Sequence, residues 1–416
     1  MRKIIMENLS ELYNEEEKNI REVIKLYKIP EKYKLINVKS RLVVEKGEIS
    51  NNNNITLDYF KELLNRLYNI RFPNRSFIMK ELMNIIPYLN KYHQYTIIKI
   101  DFEKFFYNVN VGEIKKILIN DGLLYEKELN FLVKYLNKNR ILYPGVGIHN
   151  TLLEILGDKF NKKVRETFKD DGLIFFARYV DDSILIFDQH LDDQDVMDKL
   201  KQITSKVLGK DIKINQNKSK VIKSTDGIEK FEYLGYLFEK RQNGKYCIGI
   251  ASSKLKKYKI KLEKIVLEYK GDNNLEKMCL KLEILYKRTV YWGNTRKIKY
   301  KRWQVRGLSD SYKELRRFMT NLEDFSKITK ETENFFVKDL ETIFKKNSLN
   351  IPPEIESKIA NKSYSAAFFN NRAIMLNKTI GLSQKDLVKR LDTLGVSVKN
   401  GTSYEELALS FLKKIP

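Results

Sequence analysis

The chain has 416 residues, and its 78 Lys and Arg against 54 Asp and Glu give a formal net charge of +24, which selects a polyanionic partner, most simply nucleic acid. Two cysteines (Cys247, Cys279) and three histidines (His93, His149, His190), all far apart, exclude a disulfide framework and offer no zinc-ligand spacing. No apolar run is long enough to span a membrane, and acids break the N-terminal stretch too often for a signal peptide, so a soluble cytoplasmic protein is expected.

In chain order, residues 1 to 30 carry apolar side chains at helical spacing and stop at Ile29-Pro30. The Asn51–Asn54 run marks an exposed loop. Leu57–Ile70 predicts an amphipathic helix with Phe60, Leu63, Leu64 and Leu67 on one stripe, followed by a basic turn, Arg71 to Arg75, and another helix. Tyr95–Ile100 is an apolar strand with Asp101 at its end, and Phe105, Phe106 and Val109 are spaced for a helical turn that packs back on it. Residues 111–140 alternate apolar and charged at helical period. Gly145 and Gly147 then permit close backbone approach to a bound ligand, and Asn150 or Thr151 caps a helix starting near Leu152.

The stretch FFARYVDDSILIF, Phe175 to Phe187, predicts two buried strands joined by a tight turn that holds Asp181 and Asp182 at its tip. Adjacent carboxylates in such a place repel each other and lose solvation unless a cation sits between them. With Asp101, three acids can meet at one sheet edge. Such a cluster can hold two Mg²⁺ ions for in-line displacement at a phosphate. Lys218 follows a strand-like Asp211–Asn215, and Asn243-Gly244 signals a hairpin. From Ala251 the pattern turns helical and basic, with 20 Lys and Arg against 7 Asp and Glu over residues 251–320. Within it, Arg296, Lys299, Lys301 and Arg302 alternate with Tyr300 and Trp303, cations for phosphates and rings for bases. The tail from Gly381 resembles a helix–extended loop–helix nucleic-acid module.

Four of these segments, in this order, resemble reverse transcriptases. Tyr179-Val180-Asp181-Asp182 matches the YxDD box, and Asp101 with Phe105-Phe106 matches the first carboxylate motif. Asn215–Ile222 resembles the lysine-bearing motif and Phe231–Phe238 the primer-grip hairpin. The resemblance implies an α+β right-hand polymerase: N-terminal helices and fingers in 1–95, and an antiparallel-sheet palm in 96–250 with helices at 111–168. A helical basic thumb in 251–325 and a helical C-terminal extension in 326–416 would follow.

It further implies that Asp101 and Asp181 bridge two Mg²⁺ ions, Mn²⁺ being a substitute, with Asp182 and the Phe102 carbonyl in support. Lys218 would approach the pyrophosphate, Arg71, Arg75 and Gly147 the incoming nucleotide, and Phe106 would exclude a ribose 2′-OH. Tyr179, Tyr233, Leu234, Gly235 and the Arg296–Trp303 segment would contact nucleic acid. The chain departs from the family in lacking a recognisable early fingers motif and the glutamine of a Pro-Gln-Gly loop. With no maturase, endonuclease or RNase H region, it looks most like bacterial abortive-infection and antiphage-defence enzymes. That implies dNTPs, an RNA template or noncoding RNA, a DNA product, and a partner protein or homo-oligomer. Priming by a nucleic acid or by a tyrosine hydroxyl both stay open. A retron or group II intron-type enzyme, and a catalytically inactive nucleic-acid-binding scaffold, are the alternatives.

Overall fold

The apolar runs that flank Asp101 and Asp181 are too short for helices, and in the computed structural model they form the central sheet of a mixed α+β fold. The structure describes residues 1–26, 28–30, 33–38, 41–45, 49–226, 230–294, 301–319 and 324–414. They fall into two compact units, Met1–Gly227 and Ile228–Pro416, so the expected palm at 96–250 straddles the division.

The first unit opens with α1 (Arg2–Tyr13) and α2 (Glu17–Leu26), two helices rather than one run because Asn14 turns the chain at φ 56. β1 (Leu35–Val38) and β2 (Arg41–Val44) form an antiparallel pair that was not expected from the sequence. α3 (Asn51–Leu67) begins inside the asparagine run expected to be a loop. The Ser50 hydroxyl accepts from the Asn53 N–H at 3.3 Å. That cap, with Ile55, Tyr59, Phe60, Leu63 and Leu64 buried on one face, outweighs asparagine's poor helix propensity. α4 (Arg75–Ile85) is capped by Asn74. β3 (Thr96–Asp101), α5 (Phe105–Asn108), α6 (Val111–Asn120) and α7 (Glu126–Lys138) follow.

α8 (Gly147–Thr167) starts five residues before the expected Leu152, and neither Asn150 nor Thr151 caps it. Thr151 instead donates its hydroxyl to Asn65 Oδ1 at 2.9 Å. His149 is buried one turn in: its Nδ1–H donates to the Tyr143 carbonyl at 2.8 Å, which leaves Nε2 to accept from the Tyr135 hydroxyl at 2.7 Å. Burial holds this imidazole down to about 4, neutral as that accepting role requires. These bonds pin the loop before α8.

β4 (Leu173–Tyr179), β5 (Asp182–Phe187), α9 (Asp193–Val207) and β6 (Lys220–Lys223) complete the unit. The sheet order is β4-β5-β3-β6, antiparallel throughout. α8 covers one face of the sheet at the Asp101 end, with Phe160 edge-on to Phe102 at 5.7 Å between ring centroids.

In the second unit β7 (Lys230–Tyr233), β8 (Tyr236–Lys240) and β9 (Tyr246–Ile250) form an antiparallel meander. Leu234 and Gly235 both take positive φ in its first turn, and Gly244 does so in its second, as Asn-Gly predicts. α10 (Ser252–Asp272) and α11 (Leu275–Tyr286) fulfil the helical reading, but it fails beyond them. β10 (Arg288–Asn294) and β11 (Lys301–Arg306) pair as a hairpin, where β-branched and aromatic residues override the basic, helix-compatible composition.

The short helices α12 (Leu308–Ser311), α13 (Lys330–Val337), α14 (Asp339–Lys346), α15 (Pro353–Ala360) and α16 (Ser363–Phe369) follow. β12 (Ala373–Leu376) then joins β10 in parallel, so the region expected to be wholly helical supplies a strand. α17 (Gln384–Thr393) and α18 (Tyr404–Lys413) bury Leu387, Leu391, Leu407 and Phe411 against Tyr291 and Ile374. No helix among the described residues is long and apolar enough to cross a membrane.

Candidate functional site

Asp101 ends β3 directly opposite Asp182, the first residue of β5. Asp181 lies in the two-residue turn Val180–Asp181, with Tyr179 facing Asp182 across it. Val180 takes φ 60 and Asp181 does not take a positive φ, the pattern of a type II′ turn. That first position favours glycine. A β-branched residue there carries strain on the order of 1–3 kcal/mol.

The acids feel one another. Burial, and then the charge of Asp181, push Asp182 up to about 6, with Asp101 adding to the rise while Lys99 and Lys218 oppose it. Asp181 is raised too, first by burial and then by Asp101, against the pull of its own backbone N–H, Arg41 and Lys218. Asp101 and Asp181 line one open cavity of about 850 Å³ together with Arg41, Phe106, Asn215 and Lys218. The Lys218 ammonium stands 3.4 Å from Asp101 Oδ1. The loop that carries it is latched to β3: Asn215 N–H donates to the Asp101 carbonyl at 2.8 Å, and Ser219 Oγ accepts from the Asp101 N–H at 3.2 Å.

The paired phenylalanines divide as adjacent positions must. Phe105 is buried beside Phe102 and Phe106 is half-buried, and both border the cavity. Phe102 is itself buried, and its N–H donates to the Asp181 carbonyl at 3.3 Å, tying β3 to the turn.

Arg41 was not singled out from the sequence, although the short β-forming runs Leu35–Val38 and Arg41–Val44 around it were a usable signal. Its hairpin is held from two sides. The Tyr107 hydroxyl accepts from the Leu42 N–H at 3.0 Å and lies 3.2 Å from the Leu42 carbonyl, while Val44 N–H donates to the Pro144 carbonyl at 3.0 Å. Gly145 is needed there: it takes φ 110, and a Cβ would sit 3.0 Å from the Val44 carbonyl oxygen.

Arg71 and Arg75 are not among the residues that line this cavity; Arg71 is exposed and Arg75 is the first residue of α4. Gly147 opens α8 against Lys61 and does not line it either, whereas Pro144 of the same loop does. Tyr179 is half-buried at the end of β4.

Tyr233 requires a correction as a nucleic-acid contact. Its ring is 1% exposed, because β7 turns it into the unit's interior, so only Leu234 and Gly235 of that turn present any surface. Arg296 and Lys299 lie outside the described residues, as does the side chain of Lys301, while Arg302 is exposed on β11. Trp303 faces Trp292 across the hairpin with ring centroids 5.1 Å apart, and the two are 43% and 41% exposed.

By donor type the three acids fit a hard divalent cation, and raised carboxylates are the expected signature of a site that gains by taking one. Among the described residues no three His, Cys, Asp or Glu side chains stand together as a ready-made cage.

No protein-family model matches the chain, and no curated protein matches it. Solved structures similar to it include three telomerase chains. Apo telomerase of Candida tropicalis, truncated from its C-terminal domain, aligns over 50% of this chain and 53% of its own, at 14% identity and a TM-score of 0.37. Telomerases in complex with a TWJ fragment of telomeric RNA also align. That of Candida albicans covers 95% of this chain and 65% of its own at 12% identity and TM-score 0.37, and that of Candida tropicalis 92% and 64% at 12% and 0.39. The chain thus spans between about half and two thirds of the length of these telomerases.

Proposed function

We propose that the chain is a reverse transcriptase-type DNA polymerase that adds dNTPs to a primer 3′-OH, or to a protein hydroxyl, with release of pyrophosphate. The observation that carries this is one cavity walled by Asp101 at the end of β3 and Asp181 in the β4–β5 turn, with Lys218, Arg41 and Phe106 around them. Asp101 and Asp181, supported by Asp182 and the Phe102 carbonyl, would hold two Mg²⁺ ions, or Mn²⁺, which activate the attacking oxygen and stabilise the leaving one.

Each remaining role follows from side-chain chemistry. Arg41 offers a guanidinium fork to triphosphate oxygens, a task for which it stands better placed than Arg71 or Arg75. Lys218 balances charge on the departing pyrophosphate and can give it a proton. Phe106 has bulk and no hydrogen bond to offer, so it disfavours a 2′-OH. Leu234, Gly235, Arg302 and Trp303 are proposed to contact the primer–template. An RNA template or noncoding RNA, cytoplasmic action and a role in bacterial antiphage defence, with a partner protein or a second copy, complete the reading.

The second reading is a non-catalytic nucleic-acid-binding scaffold. What favours it is the 3.4 Å approach of Lys218 to Asp101, which gives that acid a cation without any metal. Purified protein with labelled dNTPs and Mg²⁺ or Mn²⁺ separates the two. Incorporation that vanishes in Asp181→Ala supports the polymerase. Tight RNA binding without incorporation under any metal or template supports the scaffold, and exchanging dNTPs for NTPs tests the sugar. Sequencing nucleic acid that co-purifies with the protein identifies the template.

A further inference from the structure

Beneath the turn lies a buried cation that the proposed chemistry does not use. Arg178, on β4, is 6% exposed. Its Nε–H donates to Asn161 Oδ1 at 2.9 Å, its Nη2 to the Glu154 carboxylate, and its Nη1 to the Val180 carbonyl at 3.0 Å. Asn161 and Glu154 both lie on α8, and between them Gly157 faces the guanidinium. A Cβ there would fall 2.2 Å from Nη2 and 2.5 Å from Cζ. A full charge is tolerated in an interior only where its donors are met. Here each of its three nitrogens donates once, two of them to the helix and one to the backbone of the turn.

Two facts give that last bond a consequence. Val180 is held at φ 60, a conformation that a β-branched residue keeps only when its surroundings over-determine it. The peptide unit is planar and trans, so a carbonyl and the following N–H point in opposite directions. With the Val180 carbonyl drawn toward Arg178, the Asp181 N–H is presented on the other side of that peptide, and Asp181 lines the cavity.

We propose that Arg178 is a positioning residue. By clamping the Val180 carbonyl to α8 it fixes the plane of the Val180–Asp181 peptide, and through that plane it aims the Asp181 carboxylate into the cavity. The inference rests on the metal-dependent reading of the site, and its first test does not need a metal. Arg178→Lys keeps the charge but loses the fork, so one ammonium must replace three directed donors. Val180→Gly removes the penalty on positive φ, so the turn can form with less help from the clamp.

Amide hydrogen exchange in metal-free protein is the first measurement. Arg178→Lys is expected to speed exchange at residues 180–183 about tenfold while the rest of β4 and β5 stays protected. Unchanged exchange there overturns the clamp. Mn²⁺ binding, counted as free ion by electron paramagnetic resonance without nucleotide, is the second. Wild type binds, Asp181→Ala does not, and Arg178→Lys binds about tenfold more weakly. Adding Val180→Gly to Arg178→Lys recovers a large part of that loss, a rescue that general destabilisation would not give. A double variant no better than Arg178→Lys overturns the proposal. If Arg178→Lys does not fold, Asn161→Ala, which loosens the guanidinium but leaves its ion pair, must speed exchange at the same residues, and unchanged exchange overturns the clamp. Faster exchange with no Mn²⁺ bound even by wild type sinks the metal reading and leaves the clamp standing.

Discussion

Asp182 is an acid whose burial is poorly compensated. Its pKa stands near 6 in the fold against an ordinary 3.8, so the folded state holds its proton more tightly than the unfolded chain does. That preference favours folding fully below about pH 4 and is lost as pH rises through 6, where the buried group ionises beside Asp181. Asp182→Asn should therefore raise stability by about 1–2 kcal/mol at pH 8 in chelator, after discounting the shift for partial exposure, and change little at pH 4. Urea midpoints at the two pH values check this; an equal shift at both would show that charge is not the cause. Arg41→Ala makes a different claim. It should raise the KM for dNTP about tenfold or more with a smaller fall in kcat, because a phosphate contact on a neighbouring hairpin binds the nucleotide before chemistry begins. A kcat loss with KM unmoved would remove Arg41 from the triphosphate. The contrast with the acids explains what was legible. Asp101, Asp181, Asp182 and Lys218 sit at strand ends or in the turns and loops beside them, and Phe106 on the short helix that follows β3, where local pattern fixes position. Arg41 reaches the cavity only because Tyr107 and Pro144, 66 and 103 residues away in sequence, hold its hairpin, and no window of sequence contains that information.

Elements obey the same division between local and distant causes. Strands β3, β4 and β5 were legible because each carries a run of apolar β-formers, and β5 in particular is buried from Ser183 to Phe187. α3 absorbed an asparagine run because a serine cap and a buried stripe lie beside it, and β10–β11 formed inside a stretch whose lysines suit a helix. Glycines expose the tertiary contribution most directly. Gly157 and Gly271 both lie in helices with ordinary φ, so propensity alone favours alanine at each by about 0.5–1 kcal/mol. Gly271 has nothing within 4 Å of an added Cβ, and Gly271→Ala should show that gain. Gly157 has Arg178 there, and a side chain fixed by three hydrogen bonds cannot withdraw. Gly157→Ala should cost about 1–3 kcal/mol, as overpacking does. Denaturant unfolding of the two variants side by side decides it: shifts of the same sign would mean the guanidinium yields.

Across the whole molecule the charge is unevenly shared. Residues 228–416 hold 39 Lys and Arg against 22 Asp and Glu, 17 of the 24 net positive charges. The carboxylate cavity belongs to the other unit. A polyanion should therefore be gripped mainly by the second unit, and among its described residues the most exposed aromatic surface is the Trp292–Trp303 pair on β10 and β11. These are the chain's only two tryptophans, so intrinsic tryptophan emission reports on that hairpin alone. Titration with a single-stranded homopolymer, dT or rU, should quench it, because stacking on a base competes with emission and neither ring can read a sugar hydroxyl. Heparin matches the charge without offering bases, so it should compete for binding yet leave emission nearly unchanged. Trp303→Leu should weaken single-strand affinity about tenfold at fixed salt, within the range expected for one stacked base. Arg302→Ala should weaken it for every sequence alike and make the salt dependence shallower by about one unit of slope. Tight binding with steady emission, or an unchanged affinity in Trp303→Leu, would mean that the strand follows the lysines of α10 and α11 instead, and the exposed tryptophans would then serve only to brace their hairpin.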